Sequence, residues 1–231
     1  MDSLIKLDLT NLASALGLMA IAIGLSSWAK LGLAGDLAIA TVRTVVQLLG
    51  VGSVLSFVFA GNNPWQVLAV LAIMLTIATV VARNRIGKNI PQILPIVGGS
   101  MVVSTAMTLS YTTLLVIHPP TWYEPQYLIP LAGIVLGNTM NAAALAGERL
   151  VARIKASQTE IETHLCLGAT PQKAVAQYRQ EAIKAALIPT LNTMMVVGVV
   201  TLPGMVTGQL LSGVDPLNAA AYQILIMFML A

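Results

Sequence analysis

Long runs of apolar residues, separated by short polar segments, extend along almost the whole chain. Because a helix needs roughly 20 apolar residues to cross a bilayer, each long run predicts one membrane-spanning helix. A last run, from near Leu217 to Ala231, is shorter than a crossing requires, so we interpret it as a truncated span. The pattern predicts an all-α fold, a polytopic bundle of about seven transmembrane helices that forms one domain over residues 1–231. The first six runs occupy residues 10–29, 37–60, 65–82, 93–117, 127–147 and 186–210.

Lysine and arginine residues concentrate in three of the loops between these runs. The intervening loops, at residues 61–64, 118–126 and 208–216, contain none. Cytoplasmic loops of membrane proteins carry an excess of lysine and arginine, so the basic loops predict an N-terminus outside and a C-terminus in the cytoplasm. The basic loop residues are Lys30, Arg83, Arg85, Lys88, Arg149, Arg153, Lys155, Lys173, Arg179 and Lys184.

The composition excludes several other classes of protein. Hydrophobic residues make up 57% of the 231 residues and charged residues only 9%, whereas soluble domains carry about 25% charged residues; the expected partner is therefore the lipid bilayer. An aromatic content of 5% and a net charge of only +3 do not indicate a nucleic-acid partner. The chain contains no phosphate-binding G-x-x-x-x-G-K-[ST] motif and no evident nucleophile–base pair. We therefore expect no enzyme activity and no cofactor in this chain.

One polar segment, residues 148–187, holds most of the charge and does not resemble a membrane span. Gly168 interrupts its helical pattern as a glycine directly after a helix does. Thr170 and Pro171 then match a helix N-cap followed by proline at the first helical position. The segment predicts a helix, a sharp elbow and a second helix on the cytoplasmic face. Its apolar residues at helical spacing are Leu150, Ile154, Ile161 and Leu165.

The run ETHLCLGATP at residues 162–171 resembles the cytoplasmic "EAA" loop of ABC-transporter permeases. In that family the loop forms a coupling helix that docks into a cleft on a separate ATP-hydrolysing subunit. A short rigid helix ended by a glycine turn is suited to transmit a rigid-body push. The alternative is an ordinary amphipathic surface helix. The resemblance implies that the coupling residues are Glu162, Leu165, Gly168, Ala169 and Pro171.

Further motifs, in order and spacing, are similar to those of the FetB/YbbM family of ABC permeases. The similarity covers about residues 35–231 and is carried by the segments RTVVQL at 43–48, GNTMN at 137–141, ERL at 148–150, LPGMVTGQ at 202–209 and AYQILIMF at 221–228. It implies an all-helical permease of the bacterial inner membrane, present in two copies, that works with a cytoplasmic FetA-like ATP-binding subunit. ATP and Mg would be bound by that subunit.

The resemblance implies export, with iron as the first expected substrate. Family members are also associated with aluminium tolerance and with nucleotide-sugar export, so the substrate stays open. A second alternative is a membrane component that relays ATPase motion without transport. The short outer loops count against it, because such components normally carry a large external domain.

Polar residues inside the apolar runs are candidates for the translocation path, because polar groups in lipid usually face protein or water. For Arg43 the alternative is snorkelling to the headgroups, and for Asn138 and Asn141 it is hydrogen bonding between helices. A break at Pro203-Gly204 in the sixth run would expose backbone carbonyls beside the path. The candidate path residues are Arg43, Gln47, Asn138, Asn141, Glu148, Met205 and Gln209.

Metal ligands are not assignable from the sequence. Iron(II) favours imidazole and carboxylate ligands, but His118, Glu124, Glu148 and Asp215 show no recognisable metal-ligand spacing. The methionines are typical apolar filler of helices, and Cys166 is interpreted as a small packing residue beside the elbow.

Overall fold

The computed structural model describes residues 9–61, 63–88, 90 and 92–231, and these form helices joined by short turns. Over this part of the chain the only strand-like feature is an isolated bridge between Val197 and Thr201, so the all-α prediction is confirmed. A π-helical segment, Thr112–Ile117, extends α4. The α-helices of these residues are α1 (Leu9–Trp28), α2 (Ala34–Gly61), α3 (Pro64–Ile86), α4 (Ile93–Tyr111), α5 (Pro125–Ala156), α6 (Gln158–Cys166), α7 (Pro171–Ala174), α8 (Ala176–Val196), α9 (Gly204–Leu211) and α10 (Pro216–Leu230).

The helices fall into two compact units, Met1–Asn62 and Asn63–Ala231. In the first unit α1 packs against α2. The turn between them places Lys30 and Gly32 in the left-handed region, with φ of 51° and 73°. Both helices expose apolar side chains along much of their length, which is typical of helices that are hydrophobic all round and lie in lipid.

Helix α5 is the centre of the second unit, where it packs against α3, α4, α8 and α10. The hydroxyl of Thr79 on α3 donates to the sulfur of Met101 on α4 at 3.9 Å. Several core side chains are small, which lets helix backbones approach closely, as in membrane helix bundles generally. The core where α3, α4 and α5 meet consists of Ala78, Ala82, Ile86, Val97, Met101, Leu136 and Ala144.

Gly147 marks a very close approach of α5 to α3. A Cβ atom at this position would lie 2.6 Å from Cγ1 of Ile86 and 2.9 Å from its Cγ2, far inside the optimal separation of about 3.5–4.0 Å for carbon atoms. Ile86 is itself buried, so it has little room to move. The glycine therefore fixes the end of α3 against α5, beside the polar residues described below.

Four of the described helices are long and apolar enough to cross a membrane. They are α2, α3, α4 with its π-helical extension, and α5. The predicted run at 93–117 coincides with the third of these. Helix α5 continues to Ala156, because the basic residues after position 147 are good helix formers and do not end a helix. Two shorter apolar helices cover Ser14–Trp28 and Pro216–Leu230.

The sixth apolar run is divided between two helices. Helix α8 ends at Val196, and the N–H groups of Val199, Val200 and Thr201 all donate to the Val196 carbonyl. Gly198 adopts a φ of 82°, and α9 begins only after Pro203. The break predicted at Pro203-Gly204 is therefore wider than expected and begins earlier, because the turn at Gly198 already ends α8.

Candidate functional site

The segment between α5 and α8 forms an elbow made of α6, Gly168 and α7. At the end of α6 the N–H of Ala169 donates to the carbonyl of His164 and the N–H of Gly168 to that of Leu165, both at 3.0 Å. This pair of bonds is a Schellman motif, which requires a left-handed residue after the helix. Gly168 supplies it with a φ of 86°. The predicted helix-ending role of Gly168 is confirmed.

The start of α7 is fixed just as locally. The side-chain oxygen of Thr170 accepts a hydrogen bond from the N–H of Lys173 at 3.4 Å, and Pro171 occupies the first helical position. The predicted N-cap and proline are confirmed. Two short-range rules thus set the end of α6 and the start of α7.

The tip of the elbow displays apolar side chains. Leu167 is 80% exposed and Leu165 is 40% exposed, and Cys166 between them is exposed as well. Glu162 is exposed on α6, where its carboxylate accepts a hydrogen bond from Gln158 at 2.9 Å. Contiguous exposed apolar side chains rimmed by polar groups mark a surface that contacts another protein or a membrane.

A side-chain hydrogen bond from Tyr178 to Glu160 ties the elbow to α8. The hydroxyl of Tyr178, a buried residue, donates to Oε2 of Glu160 on α6 at 2.7 Å. A hydrogen bond with Ser157 lowers the pKa of Tyr178, but the bond to Glu160, burial and the charges of Glu160 and Glu181 outweigh it, so the pKa is raised. The hydroxyl therefore stays protonated and keeps donating.

A polar cavity of about 160 Å³ lies among α5, α8 and α10. It brings two predicted path residues of α5 together with polar residues of α8 that the sequence did not single out. Pro189 lies inside α8 at the same level, where it leaves the carbonyl four residues earlier without its helical donor. The cavity is lined by Asn138, Asn141, Ala142, Leu145, Ala186, Pro189, Thr190, Thr193, Met227 and Leu230.

The polar groups around the cavity are only partly used by protein contacts. Asn138 donates from Nδ2 to the carbonyl of Ile134 at 2.9 Å, which leaves its amide oxygen available. Thr193 donates to the carbonyl of Pro189 at 2.9 Å and keeps acceptor capacity on its own oxygen. Four of the ten lining residues are therefore polar, with uncharged amide and hydroxyl groups, and the other six are apolar.

Asn141 connects the cavity to an ion pair. Its Oδ1 accepts from Nη1 of Arg85 at 3.1 Å, and Nε of the same arginine lies 3.4 Å from Oε1 of Glu148. Asn141 and Glu148, two of the predicted path residues, thus both contact Arg85 of α3. The charged side chains are 43% and 39% exposed, so the pair orients the Asn141 amide more than it stabilises the fold.

The other predicted path residues are not among the lining residues of the polar cavity. Arg43 and Gln47 are exposed on α2 of the first unit. Met205 and Gln209 are half-buried on α9, and neither belongs to the lining of the polar cavity as described. The carbonyl oxygen of the Gln209 side chain is buried and has no hydrogen-bond partner among the described residues.

The acidic residues considered as metal ligands have other contacts. Asp215 caps α10 by accepting from the N–H groups of Leu217 and Asn218, and Glu124 accepts from Thr121 at 2.8 Å. Within the described residues, His, Cys, Asp and Glu form no group of three that could hold a metal ion.

Thr190 and Thr193 are the site residues that sequence reasoning missed. They sit three apart on α8, and so share one face of the helix, directly after Pro189. That polar pair beside a proline in an apolar stretch was the available signal. Its significance depends on the packing of α5 against α8, which the sequence does not display.

Comparisons with known proteins find relatives over nearly the whole chain. The family described as "Uncharacterised protein family (UPF0014)" matches residues 9–231. The UPF0014 membrane protein slr1647 of Synechocystis is 57% identical over 228 residues, covering 99% of this chain and 88% of its own. The Probable iron export permease protein FetB of Escherichia coli is 35% identical over 225 residues, covering 96% and 85%.

A plant protein is similar as well. The Protein ALUMINUM SENSITIVE 3 of Arabidopsis thaliana is 34% identical over 219 residues, covering 94% of this chain and 78% of its own. No solved structure matches. Since both the family match and the relatives extend over nearly all of the sequence, the chain belongs to the UPF0014 family of membrane proteins.

Proposed function

We propose that this chain is the membrane-spanning permease subunit of an ATP-driven ABC exporter in the bacterial inner membrane. The observation that carries the proposal is the elbow, whose exposed apolar tip at Leu165 and Leu167 stands on a helix ended by a Schellman motif at Gly168. Such a tip offers a rigid contact for a subunit on the cytoplasmic side. Gly168 is also one of the residues to which the resemblance to the ABC-permease loop assigns the coupling role.

The proposed topology has seven spans, with the N-terminus outside and the C-terminus in the cytoplasm. The elbow then lies on the same side as the basic loops, as the positive-inside rule requires. Two copies of the chain pair in the membrane, and each contacts one cytoplasmic ABC ATP-binding subunit of the FetA type. The ATP-binding subunit holds ATP and Mg, since the sequence of this chain contains no phosphate-binding motif.

In the proposed cycle, ATP binding closes the ATP-binding subunits and displaces the two elbows. The displacement passes to α8 and changes access to the polar cavity from one side of the membrane to the other. Such alternating access by rigid-body motion of helices is general among transporters. The contribution of this chain is mechanical: it holds the substrate and moves, but performs no chemistry.

Iron is the proposed substrate. Support comes from the printed name of the Escherichia coli relative, a probable iron export permease. The polar cavity, at about 160 Å³, is smaller than the pockets of about 300–1,000 Å³ that hold drug-sized ligands, but an apolar cavity of about 420 Å³ beside Gly198 and Pro203 lies within that range, so a nucleotide sugar stays the alternative substrate.

A vesicle assay tests this function. The chain is reconstituted with its ATP-binding subunit, and movement of iron(II) and of a UDP-sugar is followed with and without ATP. We expect ATP-dependent movement of iron(II), reduced by Thr190→Val or Thr193→Val. The matched control is Thr76→Val, which removes an exposed hydroxyl of α3 bonded only within its helix. ATP-driven movement of the UDP-sugar but not of iron(II) would refute iron as the substrate. If ATP drives the movement of neither compound, the proposal that the chain belongs to an iron exporter is refuted.

A further inference from the structure

Single non-helical residues join the elbow to the helices on either side. Ser157, between α5 and α6, has φ −111° and ψ 28°, and Val175, between α7 and α8, has φ −106° and ψ 3°. Residues at the ends of helices are the positions where proteins absorb large changes of φ and ψ. With these two hinges alone, a force on the tip would swing α6 and α7 without moving α8.

The hydrogen bond from Tyr178 to Glu160 spans both hinges. Glu160 follows the first hinge on α6, and Tyr178 follows the second on α8. The bond is 2.7 Å long and its acceptor is a carboxylate, which makes it stronger than a bond between neutral groups. Tyr178 is only 8% exposed, so its ring is held by packing and the hydroxyl has a fixed position.

Helix α8 connects Tyr178 to the polar cavity. Tyr178, Thr190 and Thr193 all belong to the same helix, Ala176–Val196. At 1.5 Å per residue, Thr190 lies about 18 Å along the axis from Tyr178. A displacement of α6 that is delivered to Tyr178 therefore reaches the polar lining through one helix.

We propose that Tyr178 is a positioning residue whose hydroxyl makes the elbow and α8 move as one body. The role of this contact in transport rests on the proposed function, whereas the mechanical link between the elbow and α8 does not. Without the hydroxyl, the two hinges absorb the displacement of the elbow, and motion at the ATP-binding subunit no longer reaches the cavity. The predicted defect is a loss of coupling, not of folding or of assembly.

The first test uses the full chain in lipid nanodiscs. Cys166 is the only cysteine of the chain and is exposed on α6, so a second cysteine from Lys184→Cys on α8 allows a spin-label distance across the hinges. We expect one narrow distance distribution with Tyr178 present and a clearly broader one with Tyr178→Phe. Tyr111→Phe, which removes the hydroxyl of an exposed tyrosine, should leave the distribution narrow.

The second test uses the complex with the ATP-binding subunit. Tyr178→Phe should co-purify with that subunit as the parent chain does, yet move roughly tenfold less iron(II) per ATP hydrolysed, since a bond to a charged group is lost. Glu160→Ala should match Tyr178→Phe, the double variant should be no worse than either, and Glu160→Gln, which keeps an acceptor oxygen, should retain more transport.

Two results would overturn the proposal: an unchanged distance distribution in Tyr178→Phe, or unchanged iron(II) movement per ATP despite a broadened one. A failure of the parent chain to bind any ATP-binding subunit would instead refute the proposed function. The distance measurement separates the two cases, because it is made on the permease chain alone.

Discussion

Gly168 offers a quantitative test of the elbow. Its φ of 86° lies in the left-handed region, and no atom lies within 4 Å of the position that a Cβ would take. Replacement by alanine therefore adds backbone strain without a steric clash. The left-handed conformation costs an L-residue about 1–2 kcal/mol, which lowers the population of the Schellman geometry by a factor of about 5–30.

Replacement of Gly168 by asparagine distinguishes the effect of backbone strain from the effect of side-chain size. Asparagine is larger than alanine but adopts left-handed conformations several-fold more often than most residues. We therefore expect Gly168→Ala to lower stimulation of the ATP-binding subunit several-fold and Gly168→Asn to restore most of it. The assay is the ATP hydrolysis rate of the reconstituted complex at matched amounts of inserted permease.

The control is Gly99→Ala, at a glycine inside α4 that has no left-handed φ and no atom within 4 Å of the position that a Cβ would take. It should leave the rate unchanged. Full activity of Gly168→Ala would refute the role of the Schellman turn. Equal loss in the alanine and asparagine variants would show that bulk at the tip matters and that backbone conformation does not.

Two further predictions concern packing and topology. Gly147→Ala should lower the free energy of unfolding by about 1–3 kcal/mol through overpacking against Ile86, measured by thermal unfolding in detergent. Adding Ile86→Ala to that variant should relieve part of the loss. Unchanged stability of Gly147→Ala would show that α3 and α5 are not in close contact at this position. Lys88 and Lys173 should be protected from an impermeant amine label in intact cells and react after permeabilisation, and labelling of intact cells would contradict the orientation.

The local parts of the fold were predictable from sequence, because their causes are local. Gly168, Thr170 and Pro171 specify a helix end and a helix start by short-range bonds that any chain forms. The apolar run at 93–117 matches α4 and its extension because only its length and hydropathy matter. The proposed function of these elements rests on the family resemblance and not on these rules.

The long-range parts were not predictable. Tyr178 and Glu160 are 18 residues apart, and no periodic pattern links a tyrosine on one helix to a glutamate on another across two hinges. The cavity likewise requires the face of α5 that carries Asn138 to meet the face of α8 that carries Thr190. The break predicted in the sixth run lies later in the chain than the observed one. Pro203 signals where α9 starts, whereas Gly198 determines where α8 ends.

The central claim, that the elbow is the docking point of a separate ATP-binding subunit, is most directly tested at Cys166. This cysteine is the only one in the chain and is exposed on α6, so maleimide labelling of the unmodified protein reports on the tip alone. We predict that the labelling rate falls strongly when the ATP-binding subunit is added and recovers when it is removed. An unchanged labelling rate in a complex that demonstrably contains the subunit would contradict the account.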